Sequence, residues 1–467
     1  MPTLKTVTLG CKVNQYETQY VREGLARIGF RDAAADEPAE LCVVNTCTVT
    51  HEGDAKSRQT IRQLAARNPG TRIVVMGCYA TRAPEEIAAL PGVVEVVTDK
   101  RELPDLLGRF GVVDIPTGIS RFDGRKRAYV KVQDGCMLHC SFCIIPKVRP
   151  QLASRPAEHI LDEVRRLVDN GYREVILTGI HLGHYGVDFS RGRPKSDWLR
   201  LAQLVDRIAR LDGDFRIRLS SIEATEVTRE LVAAMAEHPR KVCPHLHVSL
   251  QSGSDGVLRR MRRRWGAKRF VDRCRLVRET LDQPALTTDI IVGFPGETEA
   301  DFQDTCRVAE EVGFSKIHIF PFSLRRTTPA AEMPDQVAPK AKAERVEQLA
   351  ELERQLADRY FRSLIGRELQ VMIESPVAER PGYIYGTSCR YAIVEAPAGL
   401  APFGRFAAVK AAGVANGRIL AAERPASSER TTEHESAAGR FICTPAFSQK
   451  ERERGTNDAD QRPISKP

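Results

Sequence analysis

Gly135-Cys-Met-Leu-His-Cys-Ser-Phe-Cys-Ile-Ile-Pro146 packs three cysteines, Cys136, Cys140 and Cys143, into eight residues. The apolar run 128–132 just before it has the length and composition of a buried strand, so the cysteine loop opens at a strand's carboxyl end. Downstream, short apolar runs at 174–178, 215–220, 245–250, 287–292 and 316–320 alternate with helically spaced stretches at 156–170, 197–211, 228–237, 255–280 and 299–312. Six strand–helix units in succession predict a parallel partial (β/α)6 barrel, short of the usual eight.

Before this series, apolar runs at 6–10, 41–46 and 72–77 are separated by amphipathic stretches at 14–30 and 53–67, the pattern of an open parallel α/β sheet. After it, 340–364 reads as one long helix. Residues 368–423 then alternate apolar and polar positions around Gly382, Gly386 and Gly404, which predicts a small antiparallel β-barrel. The fold class is α/β, with expected domains at 1–120, 121–362 and 363–423. A tail at 424–467, rich in Ser, Thr, Glu, Arg and Pro, is expected to be disordered, with Phe441-Ile-Cys443 its one short apolar segment.

The 467 residues are 42% hydrophobic and 28% charged, enough for several cores and incompatible with a wholly disordered chain or a disulfide-stapled miniprotein. No run nears 18 apolar residues and the start lacks a signal-peptide core, which argues against a membrane or secreted protein and for the reducing cytoplasm. There, clustered cysteines read as metal or catalytic groups before disulfides. Lys+Arg exceed Asp+Glu by 70 to 61, a net charge of +9 that permits a nucleic-acid partner without demanding one.

Three thiolates from one short loop can hold three corners of an iron–sulfur cube and leave the fourth iron open. His139 offers a fourth ligand, so a closed zinc site stays open as an alternative. A second set stands upstream: Cys11, Cys47 and Cys78 each follow a predicted strand directly, and in a parallel sheet those ends share one edge. They can converge on a cluster of their own, or be ordinary buried cysteines, as Cys42 inside its strand is expected to be.

The spacing C-x3-C-x2-C after the first strand of a β/α series resembles the radical S-adenosylmethionine (SAM) superfamily. The two sets together resemble its methylthiotransferases, through Leu9-Gly-Cys-Lys-Val-Asn-Gln-Tyr-Glu17, Val44-Asn-Thr-Cys-Thr-Val-Thr50, Gly77-Cys-Tyr-Ala80 and the loop quoted first, over residues 3 to 423. The resemblance implies two [4Fe–4S] clusters. Cys136, Cys140 and Cys143 would hold the one that binds SAM, and Cys11, Cys47 and Cys78 an auxiliary, sulfur-carrying one. It implies a SAM pocket from strand-end residues, here Thr178, Gly179, Arg218, Ser220, Ser221, Glu223 and Gly293, and a last domain of the RNA-binding TRAM type. His247-Val-Ser-Leu-Gln-Ser-Gly-Ser254 and the first two motifs most resemble the branch that converts N6-threonylcarbamoyladenosine at position 37 of tRNA, in the anticodon stem–loop, to its 2-methylthio derivative. The isopentenyladenosine branch and the branch acting on ribosomal protein S12 are its neighbours. A radical suits this chemistry, because no side chain is basic enough to remove the proton from C2 of adenine. Neither the sulfur donor nor the electron donor is legible.

Two departures from the family pattern fall near the expected mouth. Lys147-Val-Arg-Pro-Gln151 replaces the usual Arg-Gly pair after Pro146, and Thr327 stands where the family usually has Gly. Arg259-Arg-Met-Arg-Arg-Arg-Trp-Gly-Ala-Lys-Arg269 carries seven cations and no acid, either a phosphate-contact surface with Trp265 free to stack or a solvated helix face. Arg121, Arg125, Lys126 and Arg127 form a second, weaker patch. A zinc-holding nucleic-acid-binding protein without catalysis is the rival from another class.

Overall fold

The computed structural model describes residues 1–422; the expected tail and the segment 441–443 lie outside the described residues. Five strands open the chain: β1 (Thr3–Thr8), β2 (Arg31–Asp32), β3 (Leu41–Thr46), β4 (Arg72–Gly77) and β5 (Val93–Val96). They form one parallel sheet in the order β2-β1-β3-β4-β5. All six residues of β3 are buried, as a continuous apolar run flanked by helices on both faces requires. Neither edge strand is among the expected runs: β2 is two exposed charged residues paired to β1, and β5 is a four-residue Val-Val-Glu-Val segment without a fully buried residue.

The central series contains all six expected strands: β6 (Arg127–Asp134), β8 (Glu174–Gly179), β9 (Arg216–Leu219), β11 (His245–Val248), β12 (Ala285–Val292) and β13 (Lys316–Pro321). Two short strands join them, β7 (Ala153–Ser154) and β10 (Ser221–Ile222). They make two segments, β7-β6-β8-β9 and β10-β11-β12-β13, linked by a parallel bridge from Ile217 to Val242. The predicted helix 255–280 is two, Asp255–Arg260 and Ala267–Thr280, broken where Arg262 takes φ +59° and Gly266 starts the second helix.

A 25-residue helix, Pro339–Ser363, leads to β14 (Glu368–Pro376), β15 (Tyr383–Ser388), β16 (Ile393–Pro397), β17 (Phe406–Ala415) and β18 (Arg418–Ala421). These close into a barrel, β14-β15-β16-β18-β17, whose core of Leu369, Val371, Ile373, Val394 and Ile419 is capped by Phe361 and Leu364. Four of its pairings are antiparallel as expected; β16 and β18 pair in parallel, at Val394 and Ile419. Among the described residues no helix is long and apolar enough to cross a membrane.

Candidate functional site

Cys11, Cys47 and Cys78 stand just past β1, β3 and β4, at one edge of the first sheet. Gly77 turns the chain off β4 with φ +100°, and a Cβ there would lie 2.4 Å from the Thr46 carbonyl oxygen and the Asn45 side chain. Only glycine fits, and the turn delivers Cys78 to the same corner as Cys47. At the third strand end, a Cβ on Gly10 would touch the Cys47 sulfur at 3.1 Å. All three thiols are free of disulfides.

Arg149 reaches this corner from the second domain. Its Nε donates to the Cys78 sulfur at 3.4 Å, and its two terminal nitrogens bond both oxygens of Glu17 at 2.8 Å, Asp134 at 2.8 and 2.9 Å, and Asn14 at 3.1 Å. Lys131 adds a 2.7 Å bond to Glu17. The Arg149 and Glu17 side chains are each 2% exposed. Burial works against the Glu17 carboxylate, but Arg149 and Lys131 outweigh it and hold its pKa below the usual range; Asp134 is depressed by the same two cations.

The second triplet, Cys136, Cys140 and Cys143, wraps the loop after β6. Gly135 opens the loop at φ +77°, where a Cβ would lie 1.8 Å from the Gln151 carbonyl oxygen. Burial pushes the Cys140 thiol up and the Cys143 thiol to about 12, so without metal both stay protonated. A buried guanidinium serves this set too: Arg263 donates to the Cys140 sulfur at 3.3 Å and pairs with Glu223. His181 Nδ1 lies 3.8 Å from the Cys136 sulfur. Burial opposes charge on His181, but Cys136 and Glu226 prevail and lift its pKa to about 9. Among the described residues no cysteine belongs to a group of three ligand atoms lying within 4.8 Å of one another. His139, the fourth ligand of the zinc alternative, is exposed and in no such group.

The expected SAM-pocket residues divide. Glu223 joins Cys140 through Arg263, and Ser220 and Ser221 lead into it past β9. Thr178 is buried at the end of β8. Gly179 has a packing reason of its own, since a Cβ there would press the Gln133 side chain at 2.9 Å. Gly293 has φ +72°, lies against Lys342, and donates its N–H to Glu297 at 2.8 Å. Arg218 faces elsewhere. With Arg216 it clasps the fully buried Glu174 (2.8 and 2.6 Å) and donates to the carbonyls of Ser388 and Cys389, while Arg216 reaches those of Gln370 and Thr387. This buried triad fastens the C-terminal barrel to the central sheet. Residues 216 and 218 share one face of β9 by strand alternation, which a motif match does not register.

Two sequence models match the chain: the uncharacterised protein family UPF0004 over residues 3–99 and the radical SAM superfamily over 130–309. The threonylcarbamoyladenosine tRNA methylthiotransferase MtaB of Bacillus subtilis is 40% identical over 397 residues, 81% of this chain and 86% of that protein. MtaB of Thermotoga maritima is 39% identical over 387 residues, 80% and 87% of the two chains. The chain belongs to the radical-SAM methylthiotransferase family. The tRNA-2-methylthio-N(6)-dimethylallyladenosine synthase of Corynebacterium diphtheriae, at 36% identity over 79% of this chain and 75% of that protein, is a more distant relative. Among solved structures, the radical SAM methyltransferase TsrM from Kitasatospora setae shares the fold, with a TM-score of 0.52 at 14% identity over 71% of this chain and 75% of that one.

Both departures of this methylthiotransferase from its family pattern have structural content. The altered run after Pro146 carries Arg149, the hinge of the ion network beside Cys78. Thr327 has φ +72°, the left-handed region in which glycine is at ease and a β-branched residue is strained. Its carbonyl accepts from Lys147, and Arg325 two residues earlier bonds Asp54 and Thr48, each at 2.6 Å, Thr48 being the residue after Cys47. The basic run 259–269 is neither of the two expected surfaces throughout. Arg263 turns in to Cys140 where the helix breaks, and Trp265 is buried with Arg263 over its ring at 4.1 Å, so that indole is not free to stack on a base.

Proposed function

We propose that this chain is a tRNA methylthiotransferase that converts N6-threonylcarbamoyladenosine at position 37, in the anticodon stem–loop, to its 2-methylthio derivative in the cytoplasm. We divide it at 1–120, 121–362 and 363–423, the last as the RNA-binding barrel. The observation that carries the reading is two thiol triplets, one past the carboxyl ends of three parallel strands and one in the single loop after β6, each with one sulfur met by a buried arginine.

The donor sets fit iron–sulfur clusters better than zinc. Tetrahedral zinc with 2.3 Å bonds needs sulfurs about 3.8 Å apart, closer than either triplet brings its three, and a cube edge spreads its ligands more widely. In this reading Cys136, Cys140 and Cys143 hold the cluster that binds SAM, and Cys11, Cys47 and Cys78 the auxiliary one. When bound, the two clusters and SAM supply one-electron chemistry able to break the adenine C2–H bond and a sulfur to put in its place. The chain's residues do the rest. Arg263 and Arg149 hold positive charge against one thiolate of each set, which favours the more negative state of whatever that thiolate binds. Thr178, Gly179, Ser220, Ser221, Glu223 and Gly293 border the SAM side, with Arg218 removed from that set. The likeness to the two MtaB proteins, above that to the dimethylallyladenosine synthase, supports the threonylcarbamoyl branch.

Nucleoside mass spectrometry of tRNA from a strain lacking the gene tests this. Loss of 2-methylthio-N6-threonylcarbamoyladenosine, restored by the wild-type gene but not by Cys47→Ala, is expected. An unchanged nucleoside pool, or loss of a dimethylallyl derivative instead, contradicts it.

A further inference from the structure

His247 on β11, Asp289 on β12 and His318 on β13 come from three neighbouring strands, with His247 opposite Thr287 and Asp289 opposite His318 in the parallel register. One ligand atom from each lies within 4.8 Å of the other two, which no set containing a cysteine achieves among the described residues. His247 is 9% exposed, and the centres of its ring and that of His318 are 5.7 Å apart. His318 is half-buried and lines a groove of about 950 Å³ between β13, the Pro339–Ser363 helix and the C-terminal barrel, so the cluster is reachable from outside.

Spacing and angle suit a metal ion better than a hydrogen bond. His247 Nε2 stands 3.1 Å from an Asp289 carboxylate oxygen, yet that oxygen lies off the ring's N–H direction and Nε2 is left without a hydrogen-bond partner. Two ligand atoms each about 2.0–2.2 Å from one ion stand about 2.8–3.6 Å apart, with the second about 35–45° off the lone-pair axis of the first. On the other side of the ring, Nδ1 meets the Thr287 hydroxyl at 3.1 Å, and that hydroxyl is 3.1 Å from His245 Nε2. Thr287 can accept from His247 Nδ1 and donate its own hydrogen to His245. His247 then turns an Nε2 lone pair toward Asp289, as ligand histidines are held by a partner on their other nitrogen. Burial and the neighbouring His247 push the His318 pKa down, so its imidazole is neutral near pH 7 and able to ligate. Among the described residues no Lys or Arg pairs with Asp289, whereas Lys316 and Arg127, which share the groove, are paired with Glu353 and Glu374 at 3.0 Å each.

We propose that His247, Asp289 and His318 bind one divalent transition-metal ion, with its remaining positions open to the groove. Two imidazoles and one carboxylate are a donor set for zinc, iron(II) or manganese, and three protein ligands leave room for water or an incoming oxygen ligand, as in open rather than closed structural sites. The three residues lie within strands, apart from the strand ends that carry Cys11, Cys47 and Cys78 and from the loop of Cys136, Cys140 and Cys143.

Titration of the anaerobically reconstituted holoenzyme with Mn²⁺, its clusters oxidised and silent in electron paramagnetic resonance, tests the inference. Cysteine sets already filled with iron do not compete for this hard ion, and the six-line spectrum of free Mn²⁺ reports what is left unbound. The wild type is expected to bind one Mn²⁺ per polypeptide. Asp289→Asn and His318→Phe are each expected to weaken binding by at least about tenfold, and Thr287→Val, which loses only the hydroxyl behind His247, by about tenfold. Iron content and an unfolding midpoint equal to wild type show that a variant is folded. His318→Phe, at the half-buried position on the groove, decides where a change at Asp289 or Thr287 disturbs the sheet. A wild type that binds no Mn²⁺ below about 1 mM overturns the inference. So does a wild type whose binding is unchanged in His318→Phe, which places the ion on surface carboxylates instead.

Discussion

Arg149→Met removes one guanidinium from the junction of the first two domains and keeps the length of the side chain. Arg149 and Glu17 are each 2% exposed, and Arg149 also bonds Asp134, Asn14 and the Cys78 sulfur. Breaking a buried ion pair from one side costs about 3–5 kcal/mol, because the partner stays buried and charged. Lys131 remains bonded to both carboxylates, so the lower end applies, about 3 kcal/mol. Denaturant unfolding followed by the fluorescence of buried Trp265 reads the loss. In a cycle with Glu17→Gln, the double variant is expected to be more stable than the two single losses add up to, with a coupling of about 2 kcal/mol. The pH dependence has a definite sign. Glu17 and Asp134 are more acidic in the folded protein than in the unfolded chain, so their stabilisation is complete above the usual carboxylate range and fades as pH falls below it. Arg149→Met should flatten that acid limb. A variant within about 0.5 kcal/mol of wild type, with no coupling to Glu17→Gln and an unchanged acid limb, refutes the reasoning.

Three further outcomes are expected. Thr327→Gly relieves a left-handed β-branched residue worth about 1–2 kcal/mol and gives back part of it in chain entropy, so a rise of about 0.5–1 kcal/mol in unfolding free energy is predicted by the same assay. Glu174→Gln leaves the buried Arg216 and Arg218 without their anion; about 3 kcal/mol of destabilisation should accompany faster proteolysis between the Pro339–Ser363 helix and β14. Arg263→Met takes the donor from the Cys140 sulfur and should lower the reduction potential of the loop cluster in a spectroscopic titration while leaving the iron content as in wild type.

The buried strands were legible where the run is continuous, as in β8, β9 and β11 of the central series and β3 of the first sheet, whereas β6 and β13 alternate or are partly exposed and were placed by their spacing between helical stretches. The cysteines group in the sequence for two reasons: Cys11, Cys47 and Cys78 each come just after such a run, and Cys136, Cys140 and Cys143 crowd into eight residues of one loop. Pairing partners carry no such mark: β2 is Arg31–Asp32, and the parallel contact of β16 with β18 follows from barrel closure rather than from either strand's pattern. The arginines at the sulfurs were hidden for a different reason. Arg263 sits in a run whose other cations are mostly exposed, and only the helix break at Arg262 turns it inward. Arg149 acts on residues more than 70 positions away in the first domain, a contact that no local pattern encodes. Arg218 shows the converse: a motif placed it at the SAM side, and its strand face sends it to Glu174.

Iron and acid-labile sulfide, counted per polypeptide after anaerobic reconstitution, bear most directly on the claim that each thiol triplet holds its own cluster. The wild type should carry about eight of each, and a variant with Cys11, Cys47 and Cys78 all changed to Ala about four. A wild type with about four, or one holding zinc in place of iron, contradicts the account.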